Sequence, residues 1–236
     1  MLLAWNAIAP EGDAFSHDER GAYIPRNAIE EAIESALVFY RIKKDKALEA
    51  KVKKLILAAN TRPKLRSLAK DIKKEVFARL PYDVTLPEKI YLPEDGIERV
   101  AIERFDFGKK EFVERSQKEV FKGEIDLQIE DIDKLRAPLL SYARGLAEYE
   151  HKELADTVLE PYIAALQNAI ANEWEMTLRI GAWTATPYKG DLFFFWRIKE
   201  VREKLLRDFK LDILPKDISF IPKYKEFVGW CEYRND

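Results

Sequence analysis

The chain has 236 residues and a mass of 27.5 kDa, enough for one large or two small folded units. With 47% hydrophobic and 12% aromatic residues it is a folding sequence, and its 35% of charged residues exceeds the roughly 25% of ordinary soluble domains. One cysteine, no apolar run near the ~18 residues of a membrane span and no basic leader in MLLAWNAIAPEGD exclude a disulfide framework, a multi-cysteine metal site and a membrane protein. A cytoplasmic globular protein is expected, and abundant Lys and Glu beside two Met and one Cys also fit a thermophile.

In chain order, LLAWNAIA opens as a short strand and PEGDAFSHDERGAY follows as a turn-rich loop. Asn27, with Glu30 three residues on, has the form of a capping box. Ile29, Ile33, Ala36, Leu37 and Tyr40 continue at helical spacing, so 27–42 is an amphipathic helix. Leu48, Val52, Leu55 and Ile56 repeat the period over 45–59, and Leu65, Leu68, Ile72, Val76 and Leu80 over 64–80, with Pro81 as the stop. These two helices form a hairpin. Pro81, Pro87 and Pro93 punctuate an extended connection to the strand IERVAIERFDF. EVFKGEIDLQI alternates Phe121, Gly123, Ile125, Leu127 and Ile129 with polar residues and is the clearest half-buried strand, which leaves 108–118 as a charged loop.

The helical period returns over 134–147 and again over 149–172, where Pro161 should kink or divide the helix. MTLRIGAW is a strand entering a turn, and 191–209 begins with LFFFW before becoming a charged helix. Pro215 and Pro222 bracket a linker to a last strand, FVGWCEY. Without the hairpin the order is strand, helix, strand, strand, helix, strand. That is the split βαβ order, an α+β, ferredoxin-like (RRM-like) fold with an antiparallel sheet and helices on one face.

The small net charge of −2 conceals an uneven distribution. Residues 1–40 hold two basic and seven acidic side chains, whereas 41–74 hold thirteen basic and three acidic. Such a local excess can neutralise phosphates on an otherwise acidic protein, although a solvated lysine-rich helical surface has the same composition.

Most catalytic signatures are missing. His17 and His151 are the only histidines and form no His-x-x-x-His pair, and no spacing among the 42 acidic residues marks a carboxylate magnesium site, so neither a metal site nor a cofactor is singled out. Phosphate-cradling glycine motifs and Gly-x-Ser-x-Gly do not occur. Cys231, beside Trp230, fits a buried structural thiol, and His151 fits a solvated helix position. His17, in a loop with Ser16, Asp18 and Arg20, is a weak candidate for metal-independent general acid or base chemistry. The run Phe193, Phe194, Phe195, Trp196 suits either a base-stacking platform or a plug between sheet and helices.

Three segments resemble the RAMP superfamily of CRISPR type III effector proteins: GAYIPRNAIEEAIESAL at 21–37, EVFKGEIDLQI at 119–129, and the pair MTLRIGAWTATPYKG at 176–190 and FVGWCEY at 227–233. The last pair is similar to the glycine-rich loop and terminal strand of the type III-A (Csm) subunit that caps the crRNA 3′ end. Arg26 stands where the family has a glycine after Tyr-Ile-Pro, and Ala182, Thr184 and Ala185 replace loop glycines, as in a diverged and short member.

The resemblance implies a single RAMP-type unit over 1–236: a ferredoxin-like core from 1–42 and 97–190 and a basic helical insertion at 43–81. It leaves open whether 191–236 joins the sheet or a second small subdomain. It further implies a non-catalytic subunit, active in antiviral defence, that holds crRNA or other single-stranded RNA by its backbone and contacts other type III effector subunits. Arg26, Arg179, Gly181, Lys189 and Gly190 would meet phosphates, and Lys43, Lys44, Lys51, Lys53, Lys54, Arg62, Lys64 and Arg66 would extend the track. The alternatives are an endoribonuclease that processes crRNA with His17, and an interaction module that has lost RNA contact.

Overall fold

The computed structural model describes residues 2–8, 12–78, 86–127, 132–172, 174, 176–180, 193–211 and 213–233. β1 (Leu2–Ile8) leads to a hairpin of β2 (Ser16–Asp18) and β3 (Gly21–Pro25), inside the segment expected to be loop. The Asp18 carboxylate closes that hairpin by accepting from the Arg20 N–H at 2.9 Å, so turn-forming residues conceal strands too short for a visible period. α1 (Arg26–Lys44) starts just before the expected capping box. Pro25 is its N-cap without a side-chain bond, and the Arg26 N–H donates to the Glu88 carbonyl at 3.0 Å, leaving Asn27 within the first turn.

α2 (Lys46–Ala58) is capped as local chemistry favours, with Asp45 accepting from the Leu48 N–H at 3.0 Å, and α3 (Arg62–Ala78) follows. β4 (Lys89–Tyr91) pairs with β3. β5 (Ile97–Asp106) and β6 (Glu111–Ile125) form a long hairpin, so most of the expected loop 108–118 is strand. Its charges are satisfied across the ladder, by Arg104 with Glu114 at 2.9 Å and Arg115 with Glu103 at 3.8 Å, which is why no apolar alternation marks it.

α4 (Ile132–Leu154) and α5 (Glu160–Asn172) are divided at 155–159, where Asp156 adopts a left-handed φ of 61°. Pro161 therefore lies in the first turn of α5, where it interrupts no intrahelical bond, and Pro138 lies inside α4. β7 (Met176–Arg179) follows, then a 3-10 turn at Phe193–Arg197 and α6 (Lys199–Phe209). The expected linker between Pro215 and Pro222 contains β8 (Asp217–Ile221). The expected last strand is two, β9 (Glu226–Phe227) and β10 (Trp230–Tyr233), parted by Gly229 at φ 89°.

Among the described residues the main sheet has seven strands in the order β7-β10-β1-β6-β5-β8-β9, each antiparallel to its neighbours. β1, β5, β6 and β7 with α1 and α4 make the α+β, ferredoxin-like core. β10 occupies the place beside β1, opposing Leu3 with Glu232, and carries β7 on its outer side, opposing Leu178 with Cys231. The C-terminal segment thus supplies β8, β9 and β10 to this one sheet. β2, β3 and β4 form a separate small sheet.

Three apolar clusters hold these layers. In the largest, Phe105, Phe121, Ile125, Leu178 and Trp230 of the sheet meet Ile29, Ile33 and Leu37 of α1 and Leu139 and Leu146 of α4. α1 is buried on its far side as well: Val38 and Ile42 join Leu48, Val52, Ile56, Leu65, Ile72 and Val76 of the hairpin and Val201, Leu205 and Phe209 of α6. Each fully buried aliphatic here stabilises by roughly 1.5–3 kcal/mol, so the hairpin is fixed to α1 by its own core. A smaller cluster of Val100, Ile102, Val120, Ile221 and Val228 lies on the other side of the sheet.

Candidate nucleic-acid interface

The basic residues of 43–66 fall into two groups. Several are committed within the fold: Lys51 pairs with Glu75 at 2.6 Å across the hairpin, and Lys53 pairs with Glu200 of α6. Arg62 donates through Nε and Nη2 to the Phe209 carbonyl at 3.0 and 2.7 Å, tying the start of α3 to the end of α6. Lys43 donates to Ser141 Oγ at 3.1 Å, and burial followed by the nearby Arg197 guanidinium holds its pKa below the usual lysine range. Lys44 lies 5.6 Å from the Tyr40 ring centre. Lys54, Lys64 and Arg66 are exposed. Lys70 and Lys74, which continue Arg66 at every fourth residue of α3, are exposed too and were not singled out by sequence reasoning.

The remaining expected RNA contacts are not gathered with that surface. Arg179 is a core residue, 7% exposed, and this corrects its expected role as a phosphate partner. It is ion-paired with the fully buried Glu150 of α4, donates through Nε to the Val228 carbonyl at 3.2 Å and stacks 5.0 Å from the Trp230 ring centre. A cation this deep needs such partners, and they leave it almost no solvent face. Arg26, half-buried, lies 4.0 Å from Glu30. It stands at the opposite end of α1 from Lys43, about 26 Å away at 1.5 Å per residue. The C-terminal part of α3 returns toward it, since Lys73 reaches Glu34 at 3.4 Å. Gly181, Lys189 and Gly190 lie outside the described residues.

His17 is exposed on β2 with Ala22 opposite in the register. The neighbouring Asp18 is engaged by Lys89 at 2.6 Å and by the Tyr91 hydroxyl at 2.9 Å. The Lys89 ammonium first, then the Arg20 N–H, hold the Asp18 carboxyl down at about 2, so it is an anchored carboxylate rather than a proton shuttle. Tyr23 and Tyr91 oppose each other edge to face at 6.0 Å, with the Lys89 ammonium 4.7 Å from the Tyr23 ring centre. No local motif announces this cluster, because its members are distributed over three strands.

Other singled-out residues serve packing. Cys231 is fully buried, and burial pushes its thiol up to about 12. His151 is half-buried rather than solvated, because its Nδ1 meets Gln167 Oε1 at 2.6 Å and links α4 to α5. Phe195 is fully buried, and Phe194 packs edge to face on Phe39 at 5.4 Å, so these two rings act as the plug. The side chains of Phe193 and Trp196 lie outside the described set. Among the described residues no three His, Cys, Asp or Glu side chains are grouped to hold a metal ion, and no helix is long and apolar enough to cross a membrane.

No protein-family profile matches the chain. Its fold is similar over 90% of its residues to a chain in the cryo-EM structure of the Csm-crRNA-target RNA ternary complex of a type III-A CRISPR-Cas system, with a TM-score of 0.60, 11% identity and 73% of that chain covered. A crystal structure of T. onnurineus Csm5 aligns with 93% of this chain and 73% of its own, at a TM-score of 0.46 and 13% identity. The fold of this protein is thus the α+β, ferredoxin-like one expected, and it is similar to that of the chain in the Csm-crRNA-target RNA complex. In sequence, the chain is 36% identical to an uncharacterized protein of Aquifex aeolicus (strain VF5) over 241 residues, covering all of this chain and 99% of that one. The chain belongs to one family with that Aquifex aeolicus protein.

Proposed function

We propose that this protein is a non-catalytic, RNA-holding subunit of a CRISPR type III effector complex, working as one unit over 1–236. The observation that carries the reading is its fold, similar across 90% of the chain to a component of a Csm-crRNA-target RNA complex. The electrostatics agree. α2 and α3 hold ten basic and three acidic side chains over 46–78, and Lys54, Lys64, Arg66, Lys70 and Lys74 are exposed. Cations on a helix satisfy phosphates without reading bases, which suits a subunit that leaves sequence recognition to pairing between guide and target. In this reading Lys44 and Arg26 mark the two ends of the track along α1, Gly181, Lys189 and Gly190 add further phosphate contacts, and the protein caps one end of the guide.

The test is a gel shift of the purified protein with end-labelled crRNA-like RNA in EDTA, at about 50 and 200 mM salt. Retarded, uncut RNA that is released at the higher salt is the expected result. A discrete cut abolished by His17→Ala would replace this reading with the endoribonuclease. No shift at either salt, with no gain of affinity when type III partner subunits are added, would replace it with a protein-interaction module.

A further inference from the structure

Phe39 of α1 packs edge to face on Tyr142 of α4 at 5.3 Å and on Phe194 of the 3-10 turn at 5.4 Å, so three elements meet at one ring. The charges around that ring come from all three. Lys43, one turn after Phe39, lies 5.8 Å from its ring centre and donates to Ser141 Oγ at 3.1 Å. Ser141, Arg144 and Glu148 follow at three- and four-residue spacing on one face of α4. Arg197 ends the 3-10 turn and is ion-paired with Glu148. Arg144 donates to the Ala171 carbonyl in the last turn of α5 at 3.1 Å, a bond that fixes the guanidinium and leaves its charge uncompensated.

Four exposed cations, Lys43, Lys44, Arg144 and Arg197, thus act on one another beside a single carboxylate, Glu148. Burial first, then the Arg197 guanidinium, with Lys44 and Arg144 adding to it, holds the Lys43 ammonium below its ordinary pKa against the pull of Glu148. Among the described residues Lys43, Lys44 and Arg144 have no carboxylate partner, unlike Lys51, Lys53 and Lys73. The negative end of the α1 dipole accounts for Lys43 and Lys44 in its last turn, but not for Arg144 and Arg197. Like charges gathered this way repel, and an anion placed among them removes the repulsion.

We infer that this cluster binds phosphates of single-stranded RNA, so that the phosphate track leaves α1 at Lys44 and crosses to Arg144 of α4 and Arg197 of the 3-10 turn. The inference rests on the RNA-holding reading and adds to it two contact residues that composition gives no reason to choose. Guanidinium groups already held in place suit phosphate oxygens. Tyr40 is half-exposed, with Lys44 5.6 Å from its ring centre, and offers a base an aromatic surface beside the cations. An acidic protein segment would use the cations and leave that ring idle.

The probe is a short fluorescent oligouridine, titrated with the full chain by anisotropy over a salt series. The Arg144→Gln/Arg197→Gln double variant is expected to bind at least tenfold more weakly, with a salt slope lower by about 1.4, two phosphates at about 0.7 each. Glu148→Gln removes the one opposing charge and is expected to bind at least twofold tighter. Circular dichroism melts verify that the variants fold. Affinity and slope that survive the double variant, while removal of Lys54, Lys64 and Arg66 lowers both, overturn this inference and leave the RNA-holding reading standing. Weaker binding by Glu148→Gln overturns it as well. Polyglutamate that displaces the RNA at equal concentration and itself loses affinity in the double variant would assign the cluster to an acidic protein partner. No RNA binding by the wild type, alone or with type III partner subunits, overturns the RNA-holding reading and this inference together.

Discussion

The Tyr91 hydroxyl donates to the Asp18 carboxylate at 2.9 Å although β2 and β4 are not neighbours, because β3 lies between them. Gly21 opposes Asp18 in the register and puts no side chain in the path, and its φ of 119° is one a glycine adopts freely. Lys89 donates to the same carboxylate oxygen at 2.6 Å, so one ionised group ties the outer strands of the small sheet together.

That tie gives a pH signature. The Asp18 carboxyl is held at about 2 against an ordinary 3.8, so its contribution to stability is complete above about pH 4 and is lost as the pH falls toward 2. The melting-temperature difference between wild type and Asp18→Asn should be constant from about pH 5 to 7 and shrink steadily below 4. A difference that is flat down to pH 2 contradicts the assignment.

The buried Arg179–Glu150 pair makes a different demand. Removing one partner strands the other charge in the core, so Arg179→Ala or Glu150→Ala should each cost about 3–5 kcal/mol in denaturant titrations. Replacing both residues together with apolar ones of similar volume should cost far less than either single change. Loss of RNA binding by an Arg179 variant would then follow its unfolding and not a missing phosphate contact.

Under the proposed function, the cations of the hairpin are unequal. For single strands the slope of log K against log salt changes by about 0.7 for each phosphate neutralised. Removing Lys54, Lys64 and Arg66 together should therefore lower the slope by about 2. Removing Lys51 and Lys53, which are paired with Glu75 and Glu200, should change it by less. Filter binding over a salt series separates the two.

Gly145 lets α4 approach α1. A Cβ there would sit 2.9 Å from Phe39 Cζ, and Phe39 is wedged edge to face between Tyr142 and Phe194. Gly145→Ala should destabilise by about 1–3 kcal/mol despite the better helix propensity of alanine. Chemical denaturation of the purified variant measures the sign directly.

Cys231 is fully buried with its thiol pushed up to about 12. A thiol reagent at pH 8 should leave the native protein unmodified over minutes and label one equivalent at once in guanidinium chloride. Rapid labelling of the native protein would mean that β10 opens locally.

The parts legible in the sequence were those whose causes are local. Leu48, Val52 and Ile56 announce α2, and Ile29, Ile33 and Leu37 announce α1, because in each one helix face repeats. The ferredoxin-like order followed from such elements. Where the cause is distant the sequence is silent. Arg179 stands two residues before Gly181 and resembles a loop cation, and only the fold brings Glu150 and Trp230 around it. Lys51 and Lys53 look free until α3 and α6 deliver Glu75 and Glu200. β8 is hidden between two prolines because its partner, β5, lies more than a hundred residues earlier.

β10 lies between β1 and β7 and supplies the backbone partners of both: Leu2, Leu3 and Ala4 pair with 231–233, and Met176 to Arg179 with 230–233. During synthesis, then, β1 can pair with β6 on one side while its other edge stays bare until β10, more than 200 residues later, is made. Until residues 230–233 arrive, that edge is open to any stray strand. Closure of the sheet at β1 and β7 therefore waits on one four-residue strand, and a chain stalled before it exposes both edges to aggregation.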